Sequence, residues 1–242
     1  FNWRVNKTSS VSRARTGVLN TPHGEINTPA FIFCGTKAAL KSCSTEEAMK
    51  NNTQIILSNT YHLMLQPGSE IISNHGGLHK FMNWDKPILT DSGGYQVFSL
   101  SKISKIKKDG VEFQSPINGD NIFLTPQRSI ETQIILGSDI MMSFDDCTPY
   151  PSSRDDTLIS MERSLYWSEL SKQANDTNIP MFGIVQGGLD ADLRRKAADD
   201  LVEIGFDGYA LGGLSLGEDK LAMMAIIEAS VRELPSDRPR YL

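Results

Sequence analysis

The chain has 242 residues, of which 39% are hydrophobic and 22% are charged, and its formal net charge is −5. These values are ordinary for a soluble globular protein, and the length allows one large domain with a substantial core or two small ones. No apolar run approaches the roughly 18 residues that a bilayer-spanning helix needs, and no signal peptide is recognisable, so we expect no membrane partner.

The cysteines and histidines do not form a metal-binding pattern. Three cysteines without a C-x-x-C spacing fit reduced thiols, which predicts a cytoplasmic protein. Because the histidines are equally scattered, the sequence predicts no metal site within residues 1–242. The positions are Cys34, Cys43, Cys147, His23, His62, His75 and His79.

The distribution of charge leaves a nucleic-acid partner open. The net negative charge argues against one, but residues 1–24 carry four basic residues and no acid. A second basic stretch, "SKISKIKKDG", contains Lys102, Lys105, Lys107 and Lys108. Such stretches are either solvated surface or local RNA-binding patches within an acidic protein.

The first predicted elements are β-strands. The stretch "TGVLNTPHGEINTPAFIF" alternates around a His23-Gly24 turn, which predicts an N-terminal β-hairpin region. The stretch "DGVEFQSPINGDNIFL" predicts an inserted hairpin with its turn at Asn118-Gly119. Six apolar runs are further strand candidates: Ala30–Phe33, Ile55–Leu57, Ile88–Thr90, Ile140–Phe144, Met181–Val185 and Tyr209–Leu211.

Helix signals separate these runs. Residues 44–47, "STEE", form a capping box. Thr125 is a predicted N-cap before Pro126, with Gly137 as the stop. The stretch "DADLRRKAADDLVEIG" ends at Gly205 and has the 3.6-residue period of an amphipathic helix, as does the apolar series from Leu221 to Leu234.

Alternation of strands and helices predicts a parallel sheet, either doubly wound or a (β/α)₈ barrel. Neither G-x-G-x-x-G nor G-x-x-x-x-G-K-[ST] follows a strand, which disfavours the nucleotide-binding doubly wound fold. We therefore predict a single α/β domain over residues 1–242, a (β/α)₈ TIM-type barrel. About six strands are recognisable, with "RPRYL" as the start of a seventh, so we expect an incomplete barrel.

Polar residues follow the apolar runs. A single carboxylate at a strand end is usually a turn former or helix cap, but in a barrel the C-terminal strand ends converge on one mouth. Two carboxylates, two side-chain amides and a glycine pair in this position predict a ligand site. The residues are Asn59, Asp91, Asp145, Gln186 and Gly212-Gly213.

These groups match a flat heterocycle. An ionised carboxylate accepts two adjacent N–H donors, whereas a glutamine amide and a glycine N–H donate to a ring carbonyl. Tyr95 could stack on the ring, and Gly93-Gly94 would clear space for it. Guanine presents this combination of donors and acceptor.

Seven stretches resemble one family. They are "TPHGEINTPAF", "LSNTYHLMLQPG", "LTDSGGYQVFSL", "FDDCTPYP", "GIVQGG", "GYALGGLSLGE" and "RPRYL", in family order over nearly the whole chain. The sequence resembles queuine tRNA-ribosyltransferase, also called tRNA-guanine transglycosylase. The resemblance implies a modified (β/α)₈ barrel that exchanges guanine at the wobble position of the tRNA anticodon loop for a 7-deazaguanine base. The exchange passes through a covalent enzyme–ribose intermediate and belongs to queuosine biosynthesis.

The resemblance also implies residue roles. Asp91 would be the catalytic acid/base, oriented by Asn59, and Asp145 would bind the N–H and amino edge of the base. Gln186 and the backbone of Gly213 would bind its carbonyl. The other implied base contacts are Ser92, Gly93, Gly94, Tyr95 and the carbonyl of Leu214.

Other implications concern the base, the metal and the assembly. Cys147 in "FDDC" resembles the bacterial form, and Leu216 favours 7-aminomethyl-7-deazaguanine over bulkier queuine, unless Leu216 is a packing residue. The family's nucleophilic aspartate and its C-x-C-x-x-C…His site lie beyond "RPRYL". We therefore expect Zn²⁺ in the full-length protein, with the nucleophile and the zinc ligands outside residues 1–242. The resemblance is compatible with a homodimer, although the sequence does not define the oligomeric state.

Three other functions compete with this interpretation. A barrel lyase or hydrolase acting on a small metabolite would need a phosphate-binding turn or a lysine at a strand end, and neither is persuasive here. A non-catalytic partner subunit would have no need for Asp91, Asp145 and Gln186. An archaeal-type relative that modifies another tRNA position is disfavoured by the "DDC" stretch.

Overall fold

The computed structural model of the chain describes residues 1–100 and 104–242, so Lys102 lies outside the described residues. The strands are β1 Asn2–Thr8, β2 Arg15–Thr21, β3 Gly24–Thr28, β4 Phe33–Cys34, β5 Ile56–Ser58, β6 Ile88–Thr90, β7 Ser104–Lys107, β8 Gly110–Gln114, β9 Asn121–Leu124, β10 Ile140–Met142, β11 Met181–Val185, β12 Gly208–Leu211 and β13 Arg240–Tyr241. The helices are α1 Thr45–Lys50, α2 Thr60–Leu65, α3 Ser69–Asn74, α4 Gly77–Met82, α5 Gly94–Leu100, α6 Pro126–Leu136, α7 Arg154–Ala174, α8 Ala191–Ile204 and α9 Lys220–Glu233. None of these helices combines the length and apolar character that crossing a bilayer requires.

A parallel sheet forms the centre of the fold. In the described part of the chain its order is β13-β12-β11-β10-β6-β5-β4, and every neighbouring pair is parallel. Strands that follow one another in a barrel pair in this order, with helices on the outside. The predicted α/β barrel class is confirmed, the "RPRYL" stretch contributes β13, and β4 and β13 are the edges of an incomplete barrel.

The sheet curves around an apolar interior. Leu57, Leu89 and Ile184 face one side of it and pack in a single cluster, which also contains Ile32 near one edge and Tyr241 at the other. Both edges therefore bend toward the same interior. Side chains at the alternate positions pack against the surrounding helices, because parallel strands are usually covered on both faces.

An antiparallel sheet of β1, β2 and β3 covers part of this interior. The predicted hairpin is confirmed as β2 and β3, joined at residues 22–23. Leu19 and Ile26 from these strands pack into the interior cluster. β1 pairs with β2 as an additional strand that the sequence did not predict.

The predicted inserted hairpin is confirmed as β8 and β9. The structure adds β7, which pairs with β8 and comes from the basic stretch. Lys107 of β7 lies 3.5 Å from Glu112 of β8. The side chains of β7 are all exposed, so it lacks the apolar alternation that identifies a strand in sequence.

Local sequence signals correctly predicted where several helices begin or end. The Ser44–Glu47 capping box forms both of its hydrogen bonds, at 2.9 and 3.1 Å, and Thr125 and Gly137 cap α6 as predicted. Two strands are shorter than predicted. β4 does not begin until Phe33, while Phe31 is 74% exposed. β10 ends at Met142, and the backbone N–H of Phe144 donates to Oγ of Ser171 at 3.0 Å instead of to a neighbouring strand.

Asp139, just before β10, connects the two sheets. Its Oδ2 accepts the backbone N–H of Ile88 at 2.8 Å and lies 3.0 Å from Nε2 of His79. Its Oδ1 lies 2.7 Å from Nδ1 of His23, in the β2–β3 turn. Burial acts to raise the pKa of Asp139, but these hydrogen bonds outweigh it and lower the pKa. One buried carboxylate thus joins β6, α4 and the N-terminal sheet.

Replacing Asp139 by alanine should destabilise the chain by about 2–4 kcal/mol, because a buried N–H and two imidazoles lose their partner. Asp139→Asn keeps one acceptor and should lose less. Urea unfolding at neutral pH measures both, with Asp176→Ala at an exposed position as the control. Equal midpoints for Asp139→Ala and Asp176→Ala would contradict this role.

Candidate active site

The carboxyl ends of the parallel strands place polar side chains around one opening. Side chains alternate along a strand, so a residue two positions after an inward-facing one faces inward again. Asn59 follows Leu57 in this way, and Asp91 follows Leu89. The apolar interior of the barrel therefore continues into a polar mouth.

The mouth is a cavity of about 470 Å³, within the size range of small-molecule sites. All six residues that mark the predicted strand ends lie in its wall. The polar and glycine lining comprises Asn59, Asp91, Ser92, Gln96, Asp145, Gln186, Gly212, Gly213 and Ser215. Tyr95 and Leu214, two further predicted contacts, also line the cavity.

Asp91 is held by neutral donors. Its Oδ1 accepts the backbone N–H of Thr60 at 2.8 Å, and its Oδ2 accepts a hydrogen bond from the side chain of Asn59. Asn59 is the N-cap of α2, yet its side chain does not cap the helix. The side chain of Asn59 therefore donates to Asp91 instead of capping α2, and Asp91 accepts an N–H group of the first turn of that helix.

The environment of Asp91 favours its protonated form. Burial raises the pKa of Asp91 to about 6, although hydrogen bonds from Asn59, Thr60 and Gln96 act in the opposite direction. The negative charge of Asp145 adds a smaller upward contribution. A carboxyl group with this pKa can exchange a proton near neutral pH, as a general acid or base must.

Asp145 is buried at the wall of the same cavity. Its Oδ1 accepts from Oγ of Ser92 at 2.8 Å, and its Oδ2 accepts from Nε2 of Gln186 at 2.8 Å. Burial raises the pKa of Asp145 to about 6, against the effect of these two hydrogen bonds. A carboxylate has about four acceptor positions, so Asp145 keeps capacity for a ligand.

Gln186 and the Gly212-Gly213 turn pack closely together. A Cβ at Gly212 would lie 2.6 Å from Nε2 of Gln186, and a Cβ at Gly213 would lie 2.5 Å from its Oε1. Gly213 also has a positive φ of 64°. Glycine is therefore required at Gly213 by both its backbone conformation and the close approach of the amide.

Gly93 and Gly94 lie behind the wall of the cavity. Neither residue lines the cavity. A Cβ at Gly93 would lie 3.3 Å from the backbone nitrogen of Tyr61, and one at Gly94 would collide with the carbonyl oxygen of Asp145. The space that these glycines leave free is occupied by protein, so they allow the loop to pack behind the carboxylates. Their role in ligand binding stays a prediction.

Gln96, Cys147 and Tyr241 are among the lining residues that were missed as site residues or had no role assigned. Gln96 hydrogen-bonds Asp91 and is adjacent in sequence to Tyr95. Burial raises the pKa of Cys147 to about 12, and nearby Asp145 adds to this, so the thiol stays protonated at neutral pH. Burial likewise raises the pKa of Tyr241 to about 12. Tyr241 could have been predicted as a lining residue, because it lies on the seventh strand of the barrel.

Leu216 belongs to a turn at the edge of the site. Both carboxylate oxygens of Glu218 accept backbone N–H groups of this turn, one from Ser215 and one from Leu216 at 2.7 Å. Burial opposes ionisation of Glu218, but these backbone hydrogen bonds prevail and lower its pKa. The ionised carboxylate therefore holds the turn that follows Leu214.

The described cysteines do not form the cysteine–histidine set that the resemblance implies for zinc. Cys34 and Cys43 are exposed, whereas Cys147 is buried beside the carboxylates. Within residues 1–100 and 104–242, the one group with metal-ligand chemistry is His23, His79 and Asp139. Each imidazole hydrogen-bonds Asp139, and the two rings stack with centroids 3.5 Å apart. This group lies at the opposite ends of the strands from the cavity, so we assign no metal to the cavity.

Comparison with known proteins agrees with the resemblance. The family model described as Queuine tRNA-ribosyltransferase matches residues 10–242. The chain is 53% identical over 242 residues to the Queuine tRNA-ribosyltransferase of Thermoanaerobacter pseudethanolicus, covering 99% of this chain and 64% of the relative. It is 52% identical over 231 residues to that of Lysinibacillus sphaericus, covering 95% of this chain and 61% of the relative. For Natranaerobius thermophilus the identity is 51% over 244 residues, with coverages of 100% and 66%. The chain thus spans just under two thirds of the length of these relatives.

Replacing Asp145 by asparagine should change how stability depends on pH. The pKa of Asp145 is about 6 in the folded chain against an ordinary 3.8, so the folded chain holds the proton more tightly than the unfolded chain. This stabilisation is complete below pH 3.8 and is lost as pH rises through about 6. With about 1.4 kcal/mol per pKa unit, the unchanged chain should lose roughly 3 kcal/mol relative to Asp145→Asn between about pH 4 and pH 7.

Urea unfolding of both proteins across this pH range tests the expectation. Asp176→Asn, at an exposed position, is the control and should give a curve parallel to that of the unchanged chain. Parallel curves for Asp145→Asn as well would mean that Asp145 does not titrate with a raised pKa.

Proposed function

Because the chain belongs to the queuine tRNA-ribosyltransferase family, we propose that its cavity binds the base in a tRNA-guanine transglycosylase. The enzyme exchanges guanine at the wobble position in the tRNA anticodon loop for a 7-deazaguanine base, in the cytoplasm. One observation carries this proposal: two carboxyl groups with raised pKa values share a cavity with a glutamine amide.

Asp145 has the properties needed to recognise guanine. When ionised, its oxygens accept the ring N–H and the neighbouring amino group of the base. The second N–H of the Gln186 amide and the backbone N–H of Gly213 donate to the ring carbonyl. Ser92 supports this arrangement by hydrogen-bonding Oδ1 of Asp145 at 2.8 Å. Tyr95, which is 45% exposed at the rim, stacks on the bound ring.

Asp91 is the proposed acid/base residue. Its pKa of about 6 allows it to give a proton to the leaving base and to take one from the incoming base near neutral pH. The hydrogen bonds from Asn59 and Thr60 hold the carboxylate in one orientation. The attacking nucleophile of the covalent enzyme–ribose intermediate is not assigned to any residue of 1–242, and no step is assigned to a metal.

The incoming base is proposed to be 7-aminomethyl-7-deazaguanine. Leu214 lines the cavity, so its carbonyl is a candidate acceptor for the aminomethyl group. Leu216 lies in the turn held by Glu218, and we take its bulk to disfavour the larger queuine. Because the chain has a net charge of −5, contacts to tRNA phosphates depend on local basic segments such as β7.

Guanine should bind more tightly as pH rises, because Asp145 must be ionised to accept its N–H groups. At about pH 5, one unit below the pKa, about one tenth of Asp145 is ionised, so the affinity should be about tenfold lower than at pH 7.5. Asp145→Asn should weaken binding by roughly tenfold to a hundredfold at pH 7.5, since an NH₂ group then faces the donors of the base. Calorimetric titration of the chain with guanine measures both effects. Unchanged affinity in Asp145→Asn would remove Asp145 from the site.

Asp91→Asn should separate binding from chemistry. An asparagine cannot transfer the proton, so the exchange of labelled guanine into tRNA should fall by at least about a hundredfold, while guanine affinity changes little. The exchange assay uses this sequence within a protein of the full length of the relatives, and Asp176→Asn is the matched control. Normal exchange by Asp91→Asn would exclude an acid/base role.

A further inference from the structure

Arg194 is a buried cation behind the site. It lies near the start of α8 and is fully buried. Burial lowers the pKa of Arg194 to about 10, with Cys147 and Glu218 acting to raise it, so the guanidinium remains charged at neutral pH. In the part of the chain that the structure describes, no carboxylate lies within 4 Å of it. Burying a guanidinium in this way costs several kcal/mol unless its donors find acceptors.

The acceptors that Arg194 does contact lie on either side of Gln186. Nη1 donates to the carbonyl of Val185 at 3.1 Å, and Nε donates to the carbonyl of Gly188 at 2.8 Å. The intervening turn approaches the backbone of Arg194 closely. A Cβ at Gly187 would lie only 3.0 Å from the backbone nitrogen of Arg194. The planar guanidinium therefore supports the backbone on both sides of Gln186.

Two buried polar atoms next to this turn have no hydrogen-bond partner among the described residues: Nη2 of Arg194 and Oε1 of Gln186. Both lie beside Gly213, whose missing Cβ would be 3.6 Å from Nη2 and 2.5 Å from Oε1. One atom is a donor and the other an acceptor, so they are chemically complementary.

The orientation of the Gln186 amide follows from its neighbours. Arginine can only donate hydrogen bonds, and an ionised carboxylate can only accept them. Gln186 lies between Arg194 and Asp145, with Nε2 donating to Oδ2 of Asp145 at 2.8 Å. We propose that Arg194 is a positioning residue that keeps Oε1 of Gln186 on its own side and thereby presents the NH₂ group to Asp145 and to the carbonyl of the bound base.

This inference rests on the proposed function, since it explains how Gln186 comes to donate to guanine. Without Arg194 only the hydrogen bond to Asp145 orients the amide, and in the turned-over orientation its oxygen would face both the carbonyl of the base and the carboxylate of Asp145. Only the orientation with the NH₂ group toward Asp145 can donate to the carbonyl of the base. Arg194 should thus affect guanine affinity through Gln186 and not independently of it.

A double-mutant cycle on guanine affinity tests this dependence at pH 7.5. Arg194→Met and Gln186→Met should each weaken binding roughly tenfold, and the double variant should bind no worse than Gln186→Met alone. Leu201→Ala, a buried core change on the same helix, is the control that lowers stability without changing affinity. If Arg194→Met does not fold, Arg194→Lys replaces it in the cycle, because an ammonium group keeps the charge but cannot span both carbonyls and the amide.

The outcomes separate the two proposals. Normal affinity in the Arg194 variant, or additive losses in the double variant, would overturn the positioning role while leaving base binding by Asp145 in place. An unchanged chain that does not bind guanine would overturn both the proposed function and this inference.

Discussion

Alternation of side chains along parallel strands is the constraint on which the site depends. Leu89 belongs to the apolar interior, and Asp91, two residues later, reaches the mouth. Ile184 and Gln186 repeat this relation on β11. A slip of one residue would turn each polar group toward the helices and each interior residue away from the core. The same packing that stabilises the barrel therefore orients its functional groups.

Three buried or partly buried aspartates differ in what surrounds them. Asp91 and Asp145 receive hydrogen bonds from neutral amide, hydroxyl and backbone donors, and burial raises the pKa of each to about 6. Asp139 contacts two histidines and a backbone N–H, and its pKa is lowered. Burial among neutral donors suits a carboxyl group that exchanges a proton, because it raises the pKa toward neutral pH. The histidine and backbone partners of Asp139 suit a carboxylate that connects two sheets, because they keep it ionised.

Close packing behind the cavity restricts how its groups can move. Gly94 allows a loop to approach the backbone of Asp145, and Gly213 allows another to approach the amide of Gln186. Any side chain at either position would push the loop away from the group that it supports. The guanidinium of Arg194 donates to the carbonyls of Val185 and Gly188, on either side of Gln186. Precise orientation of ligand-binding groups requires this kind of support from residues that do not touch the ligand.

The sequence by itself determined the features that depend on neighbours within one turn or one strand. The Ser44 capping box, the ends of α6, the β2–β3 hairpin and the polar residue after each interior run are of this kind. Only the tertiary structure decided which distant residues meet. His23 and His79 reach Asp139 across 116 and 60 positions, β7 forms because β8 offers it an edge, and Arg194 is a core residue in spite of its charge. No local pattern specifies such contacts, because they depend on the register and curvature of the whole sheet and on which buried acceptors remain for each donor.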